Sequence, residues 1–129
     1  MGGGRGTIES CDIYGNTLAG VEVRTGGDPT VRKCRIHDGK QAGVLVSEHG
    51  RGTFEGCDFF GDAAAAIAFW DGGDPVVRRC IIHDNRRGGV MAMEGGRGAI
   101  EECELWGHEG KNFQITEGVE VRLSDNVER

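Results

Sequence analysis

Apolar positions along the chain recur with one short and one long period. In segments such as Cys11-x-Ile13 and Val21-x-Val23, apolar residues alternate with polar ones, which is typical of half-buried β-strands. The same segments return every 23 residues without a gap. The chain therefore divides into five coils of equal length, namely residues 4–26, 27–49, 50–72, 73–95 and 96–118. Residues 119–129 form a partial sixth coil or a tail, and the sequence leaves their register open.

Residues that lie 23 positions apart form columns, and these columns predict the fold. Apolar columns begin at Ile8, Ile13, Val21 and Val23, and glycines recur at the corners between them. Glycine corners and β-branched residues exclude a helical repeat, and the strict six-residue period of a left-handed hexapeptide solenoid is absent. We predict an all-β, right-handed parallel β-helix (a β-solenoid) of five 23-residue coils and a partial sixth, forming a single domain over residues 1–129.

Outward charges in this arrangement alternate in sign from coil to coil. One column reads Arg5, Asp28, Arg51, Asp74 and Arg97, and another reads Glu9, Arg32, Glu55, Arg78 and Glu101. Because adjacent strands lie about 4.8 Å apart, each charge is expected to lie between two opposite ones. An exposed pair of this kind contributes a few tenths of a kcal/mol. We therefore assign these charges a structural role.

The five cysteines occupy one column, which consists of Cys11, Cys34, Cys57, Cys80 and Cys103. Buried free cysteine behaves as a small hydrophobe, so we predict a reduced ladder inside the core. Two alternatives are a disulfide between neighbours and a metal site. Five is an odd number, and a linear ladder brings only two sulfurs near any one point. The sequence thus predicts no metal, no cofactor and no catalytic cysteine.

Composition and charge narrow the possible partners and the compartment. The chain has 129 residues, a formal net charge of −6 and a pI near 5.2, which argues against nucleic acid as a partner. The first ten residues lack the apolar segment of a secretory signal, and no run of about 20 apolar residues is present to span a bilayer. We therefore expect a cytoplasmic protein with reduced cysteines that binds no membrane.

The repeat also resembles a known family. The motif G-R-G-T-I-E-x-C-D-I-Y-G-N, followed by G-D-P-T-V-R-x-C-x-I-H-D-G, is similar to the right-handed β-helix repeats of carbohydrate-binding and sugar-hydrolase-like proteins. It is most similar to the β-helix region of F-box ubiquitin-ligase adaptors and their bacterial relatives, and the likeness covers residues 4–118. The F-box relatives imply that the solenoid is a recognition surface, although this chain has no F-box segment. The enzymatic relatives combine acidic calcium ligands with a basic catalytic residue, and no such cluster is found at matched positions.

One candidate binding surface is an aromatic strip, which consists of Tyr14, His37, Phe60, His83 and Trp106. Such a strip can stack on sugar rings or anchor a protein partner; alternatively, it only covers the end of a strand. Neighbouring residues on a strand point to opposite faces, so His37 and Asp38 are not expected to form a catalytic pair. The two histidines lie two coils apart, about 9.6 Å, which is too far for shared acid–base chemistry. We predict no catalytic residues.

The other candidate surface is an apolar patch on the Val-x-Val strands, which consists of Leu45, Ala68, Trp70, Met91 and Met93. Polar residues frame it in the first and fifth coils. Exposed tryptophan and methionine in one patch predict a protein contact, unless a loop or residues 119–129 cover it. We expect self-association as a homodimer, side to side or end to end, as its simplest form.

Three functions remain as hypotheses. The first is a non-enzymatic scaffold for protein–protein interaction or self-association. The second is a carbohydrate-binding module that uses the aromatic strip. A polysaccharide lyase, hydrolase or epimerase is less favoured, because we predict no catalytic residues. The fold alone does not decide among these functions, since enzymes and pure binding proteins share it.

Overall fold

The computed structural model describes residues 6–116 and 119–129. Arg5, the first member of one alternating charge column, lies outside these residues. All strands in the described residues are parallel to their neighbours, and they form three sheets that run along the solenoid. No helix occurs in the described ranges. The prediction of an all-β parallel solenoid is confirmed.

Each coil contributes one strand to each sheet. The first sheet contains β1 (Thr7–Glu9), β4 (Thr30–Arg32), β7 (Arg51–Glu55), β10 (Asp74–Arg78), β13 (Ala99–Glu101) and β16 (Arg122–Ser124). The second contains β2 (Asp12–Tyr14), β5 (Arg35–His37), β8 (Asp58–Phe60), β11 (Ile81–His83), β14 (Glu104–Trp106) and β17 (Val127–Glu128). The third contains β3 (Val21–Val23), β6 (Val44–Val46), β9 (Ala65–Phe69), β12 (Gly88–Ala92) and β15 (Phe113–Ile115).

The register of the sheets follows the repeat of the sequence. Ile8 pairs with Val31, and Val31 pairs with Phe54, so that paired residues are 23 positions apart. The sixth coil keeps the same register, since Arg122 pairs with Ala99 in the first sheet. Residues 119–129 therefore extend the first and second sheets.

The core lies between the three sheets and is built from the predicted apolar columns. The largest layer is in the third coil, where Phe54, Phe59 and Phe69 are fully buried. Aliphatic residues such as Ile36 and Ile82 fill the same positions in the coils on either side. Burying one such side chain contributes about 1.5–3 kcal/mol. The stacked columns thus provide the main stabilisation of the fold.

The cysteine column is buried from Cys34 to Cys103, but Cys11 is exposed. The prediction of a buried position is therefore wrong for Cys11, because no described coil packs on the side of it that faces away from Cys34. The buried thiols also form hydrogen bonds. Cys57 Sγ donates to the carbonyl oxygen of Val31 at 3.4 Å. The hydrogen bonds with the neighbouring thiols, together with burial, raise the pKa of Cys80 well above its usual value.

Asn126 takes the place of cysteine in the sixth coil. Its Nδ2 donates to the carbonyl oxygen of Ile100 at 2.9 Å, and its Oδ1 accepts from the backbone N–H of Cys103 at 2.9 Å. The thiol of Cys103 donates in the same direction, to the carbonyl oxygen of Val77 at 3.7 Å. Thiol and amide side chains in this column therefore have the same role, because both form hydrogen bonds with backbone groups of the neighbouring coil.

The predicted charge alternation produces ion pairs on the first sheet. Arg32 lies between Glu9 at 3.9 Å and Glu55 at 3.5 Å, and Arg78 Nε lies 3.1 Å from Glu101 Oε1. These side chains are at least one quarter exposed, so each pair contributes only a few tenths of a kcal/mol. The pairs align the coils without dominating the stability.

Candidate functional site

The aromatic strip is a continuous stack of rings along the ends of the second-sheet strands. The ring centroids of successive members lie 5.2, 4.5, 5.2 and 4.8 Å apart, and the ring planes are inclined by no more than 15°. The members are the five predicted residues, Tyr14, His37, Phe60, His83 and Trp106. Each inner ring thus has both of its faces covered by its neighbours.

This stacking determines what the strip can bind. A sugar ring packs on the face of an aromatic ring, and here the faces are turned toward each other. The guanidinium of Arg129 lies over Trp106 at 5.6 Å, so the ring at the far end is also covered. Tyr14, at 63% exposure, is the most accessible member. Apart from Tyr14, the strip presents ring edges to the solvent, which does not favour sugar stacking.

Each histidine of the strip is held between two carboxylates. His37 Nδ1 lies 2.6 Å from Asp38 Oδ2, and His37 Nε2 lies 2.6 Å from Asp12 Oδ1. His83 has the same arrangement with Asp84 at 2.7 Å and Asp58 at 3.1 Å. The expectation that neighbouring histidine and aspartate point apart is therefore wrong.

The reason is a backbone turn that a strand pattern does not reveal. Asp38 has a φ of +53° and Asp84 a φ of +54°, so the chain turns after the histidine and brings the carboxylate beside the ring. The next coil has glycine at the same position, because a Cβ at Gly61 or Gly107 would collide with the aspartate carboxylate below. This contact, together with the positive φ of both residues, favours glycine at positions 61 and 107, whereas a Cβ at Gly15 in the same column would meet nothing within 4 Å.

The electrostatics of the strip point to a structural role. Burial alone would lower the pKa of His37, but the hydrogen bonds to Asp38 and Asp12 outweigh it and raise that pKa. Both ring nitrogens are already paired with carboxylates, so neither is free to accept a proton from a substrate. The histidines are thus anchors for the aromatic stack.

The apolar patch forms a groove of about 360 Å³ on the outer face of the third sheet. Leu45, Trp70, Met91 and Met93 line it. All four are half-buried, whereas Ala68 between them is only 5% exposed. The structure therefore brings the five predicted residues together, with Ala68 as a buried part of the floor.

The groove exists because the third coil has small side chains where its neighbours have long ones. Where the third coil enters the third sheet, the groove is lined by three alanines, Ala63, Ala64 and Ala65. The coils on either side place Lys40 and Arg87 along this edge. Residues 119–129 belong to the first and second sheets, so they do not cover the groove as the sequence left possible.

A buried polar column escaped the sequence analysis. Asp62 and Asn85 are each 1% exposed, and they lie at equivalent positions in adjacent coils. The backbone N–H of Asp62 donates to Asn85 Oδ1 at 3.0 Å, and the backbone N–H of Asn85 donates to His108 Nδ1 at 3.0 Å. Among the described residues, Asp62 Oδ2 and His108 Nε2 have no hydrogen-bond partner. A polar residue at this position in four of the five coils, with Gly39 in the second, was the available signal.

Burial shifts both ionisable groups of this column toward their neutral forms. It raises the pKa of Asp62 to about 7, and the nearby Asp38 adds to this effect. It also lowers the pKa of His108. Within the described ranges, no set of three or more histidine, cysteine, aspartate or glutamate side chains is arranged to hold a metal ion. No helix there has the length and apolar character needed to cross a membrane.

Comparison with known proteins places this architecture in a family. The model of a right-handed beta helix region matches residues 1–74 and again residues 40–128, and together these two matches cover nearly the whole chain. The comparison with curated proteins and that with solved structures gave no match. The family match agrees with the three stacked parallel sheets.

Proposed function

Since the chain belongs to the right-handed β-helix family, we propose that it is a non-enzymatic scaffold that uses the groove of its third sheet to bind a protein surface. The observation that carries this proposal is the groove itself, where Trp70, Met91 and Met93 are partly exposed beside a recess of alanines. Tryptophan and methionine are typical of protein-binding surfaces, and a cluster of them is uncommon on free surfaces. The similarity to the β-helix region of F-box adaptors, where the solenoid is a recognition surface, points the same way.

The shape of the fold supports a binding role. Three parallel sheets hold the groove residues on strands whose inward neighbours, such as Val44 and Ile67, are fully buried. The backbone of such strands is held in place by the core, so binding needs little ordering of the backbone. The scaffold therefore presents a preformed surface.

The alternatives receive less support from the geometry. A carbohydrate-binding strip needs accessible ring faces, whereas the rings of this strip cover each other. A hydrolase or lyase needs an available acid or base, and the ring nitrogens of His37 and His83 are both taken up by carboxylates. Binding to protein through the groove is the function that the arrangement favours.

A photo-cross-linking experiment in the cells that express the protein tests this function. A benzophenone amino acid replaces Met91 in the groove, and in a matched variant it replaces Val76, which is half-buried on the first sheet of the same coil. We expect illumination to join position 91, but not position 76, to one protein chain that mass spectrometry identifies. Absence of a protein adduct at position 91, or equal adducts at both positions, would overturn the proposal.

A further inference from the structure

The two edges of the groove have opposite charges that do not alternate. Lys40 and Arg87 lie along the edge where the chain enters the third sheet. At the opposite edge, directly after the Trp70 column, one column reads Glu48, Asp71 and Glu94, all of them exposed. On the first sheet, the outward columns alternate in sign and form ion pairs. The groove therefore lies between a basic edge and an exposed acidic column.

These charges are largely unneutralised within the chain. Arg24 lies 3.8 Å from Glu48. In the part of the chain that the structure describes, Asp71, Glu94, Lys40 and Arg87 form no ion pair. Glu48, Asp71 and Glu94 lie in adjacent coils, about 4.8 Å apart, so these like charges repel each other. The edges thus have the character of a surface that is complete only with an oppositely charged partner.

We propose that this partner is a second copy of the chain, bound groove to groove about a two-fold axis parallel to the solenoid axis. The proposal rests on the proposed function and names its partner. A two-fold interface uses the same surface on both copies. Rotation about this axis exchanges the two edges, so the basic edge of each copy meets the acidic edge of the other. The rotation leaves each coil at the same height along the solenoid axis.

The heights of the charged residues match in this arrangement. Lys40 and Glu48 both belong to the second coil, and Arg87 and Glu94 both belong to the fourth. Lys40 of one copy therefore lies opposite Glu48 of the other, and Arg87 lies opposite Glu94. Each dimer contains both pairs twice.

The shape of the third coil is also self-complementary. Trp70 stands at the acidic edge of this coil, and the alanine recess of residues 63–65 lies at its basic edge. The same rotation places Trp70 of one copy against the recess of the other. A large aromatic side chain in a pocket of small ones is the usual centre of a protein interface.

The other two-fold arrangement is disfavoured by the same residues. An axis that runs across the groove, along the strands, would keep each edge on its own side. Lys40 would then face Arg87, Glu48 would face Glu94, and the two Trp70 side chains would collide at the same edge. The charges therefore select parallel solenoids over antiparallel ones.

The area of the third-sheet face determines the expected affinity of the dimer. Five strands at about 4.8 Å and a width of roughly 20 Å give on the order of 500 Å² per copy. Stable interfaces bury about 800 Å² per partner, so we expect a reversible dimer with a Kd on the order of micromolar. Its affinity should fall as salt increases, because opposite charges meet at its edges.

Two charge-reversal variants and their mixture test the proposal. The first variant contains Lys40→Glu and Arg87→Glu, so both of its edges are acidic. The second contains Glu48→Lys and Glu94→Lys, so its acidic edge keeps only Asp71 and both edges have a net positive charge. A control with Arg51→Glu and Arg97→Glu changes two exposed charges on the first sheet. Circular dichroism establishes that each variant is folded, and sedimentation velocity gives its association state.

We expect the wild type and the control to dimerise with equal affinity and each groove variant to bind itself at least tenfold more weakly. An equimolar mixture of the two groove variants should recover the dimer. Raising NaCl from 50 to 500 mM should weaken the wild-type dimer. A wild type that stays monomeric at 1 mM, a groove variant that dimerises as the wild type does, a mixture that stays monomeric, or an affinity that rises with salt would overturn the proposal.

The outcome also separates this inference from the proposed function. A monomeric wild type, together with an adduct between position 91 and a different protein in cells, would remove the second copy as partner and keep the scaffold function. Absence of any adduct at position 91 would remove the function itself.

Discussion

Replacing Asp62 with asparagine tests the buried polar column most sharply. The Asp62 side chain is 1% exposed. Its Oδ1 accepts the backbone N–H of Gly39 at 3.0 Å, whereas its Oδ2 has no hydrogen-bond partner among the described residues. Burial raises its pKa to about 7. Ionisation of this carboxyl in the folded protein therefore places a poorly compensated charge in the core.

The sign and size of the effect follow from the pKa difference. The ordinary value is 3.8 and the folded value is about 7. One pKa unit corresponds to 1.36 kcal/mol, so ionisation costs the folded state up to ~4 kcal/mol. The folded state binds the proton more tightly than the unfolded state does. The stabilisation that proton binding to Asp62 gives the folded state is thus complete below pH 3.8, falls as the pH rises toward 7, and is absent above 7.

Asparagine at this position has no charge to bury. Asn85, at the equivalent position of the next coil, donates its amide to the carbonyl oxygen 26 residues earlier at 3.4 Å, and Asn126 in the cysteine column makes the same contact at 2.9 Å. The same geometry would direct the new amide at position 62 to the carbonyl oxygen of Ile36. We expect Asp62→Asn to raise the free energy of unfolding by about 2–4 kcal/mol at pH 8 and by much less at pH 4.

Urea denaturation of both proteins at pH 4, 6 and 8, followed by tryptophan fluorescence, measures this difference. The other carboxylates titrate alike in the two proteins and cancel when their stabilities are subtracted. Asp28→Asn, at an exposed position, is the matched control and should change little at any pH. A difference that does not depend on pH, or a wild type that is more stable than Asp62→Asn at pH 8, would refute the reasoning.

The other predictions concern the fold and the aromatic stack. Val44→Asp should prevent folding because the new charge is buried without a partner, whereas Arg51→Glu should cost under about 0.5 kcal/mol; cooperative, wild-type-like melting of Val44→Asp would contradict the inward assignment. One thiol, that of Cys11, should react with Ellman's reagent in the native protein and all five after denaturation, and rapid reaction of more than one native thiol would argue against the buried ladder. Asp12→Asn should lower the pKa of His37 in an NMR titration, since it removes one of two carboxylates that raise it; an unchanged pKa would contradict that cause.

The sequence determined the fold because its repeat contains no gap. Val31 and Phe54 could be assigned to neighbouring positions in one column, since a strand of period two and a repeat of 23 residues leave one register. The burial of Cys11 was wrongly predicted because a column gives the direction of a side chain but not the number of coils that cover it.

The details of the site needed coordinates. The pairing of His37 with Asp38 depends on a positive φ at the aspartate. Aspartate adopts a positive φ more readily than most residues, but no pattern in the sequence predicted it at this position. The aromatic members were identified correctly, but their face-to-face stacking became apparent only from the ring planes. The role of Asp62 was missed because polar residues at corners are usually exposed, whereas this one is turned inward.

A dilution series followed by methyl and indole NMR tests most directly whether the groove of the third sheet binds a second copy of the chain. The methyl signals of Leu45 and Met91 and the indole N–H signal of Trp70 should shift with protein concentration, and those of Val76 and Ile81 on the other two sheets should stay constant. Signals that do not change in the groove, or that change mainly on the first and second sheets, would contradict a dimer formed through this groove.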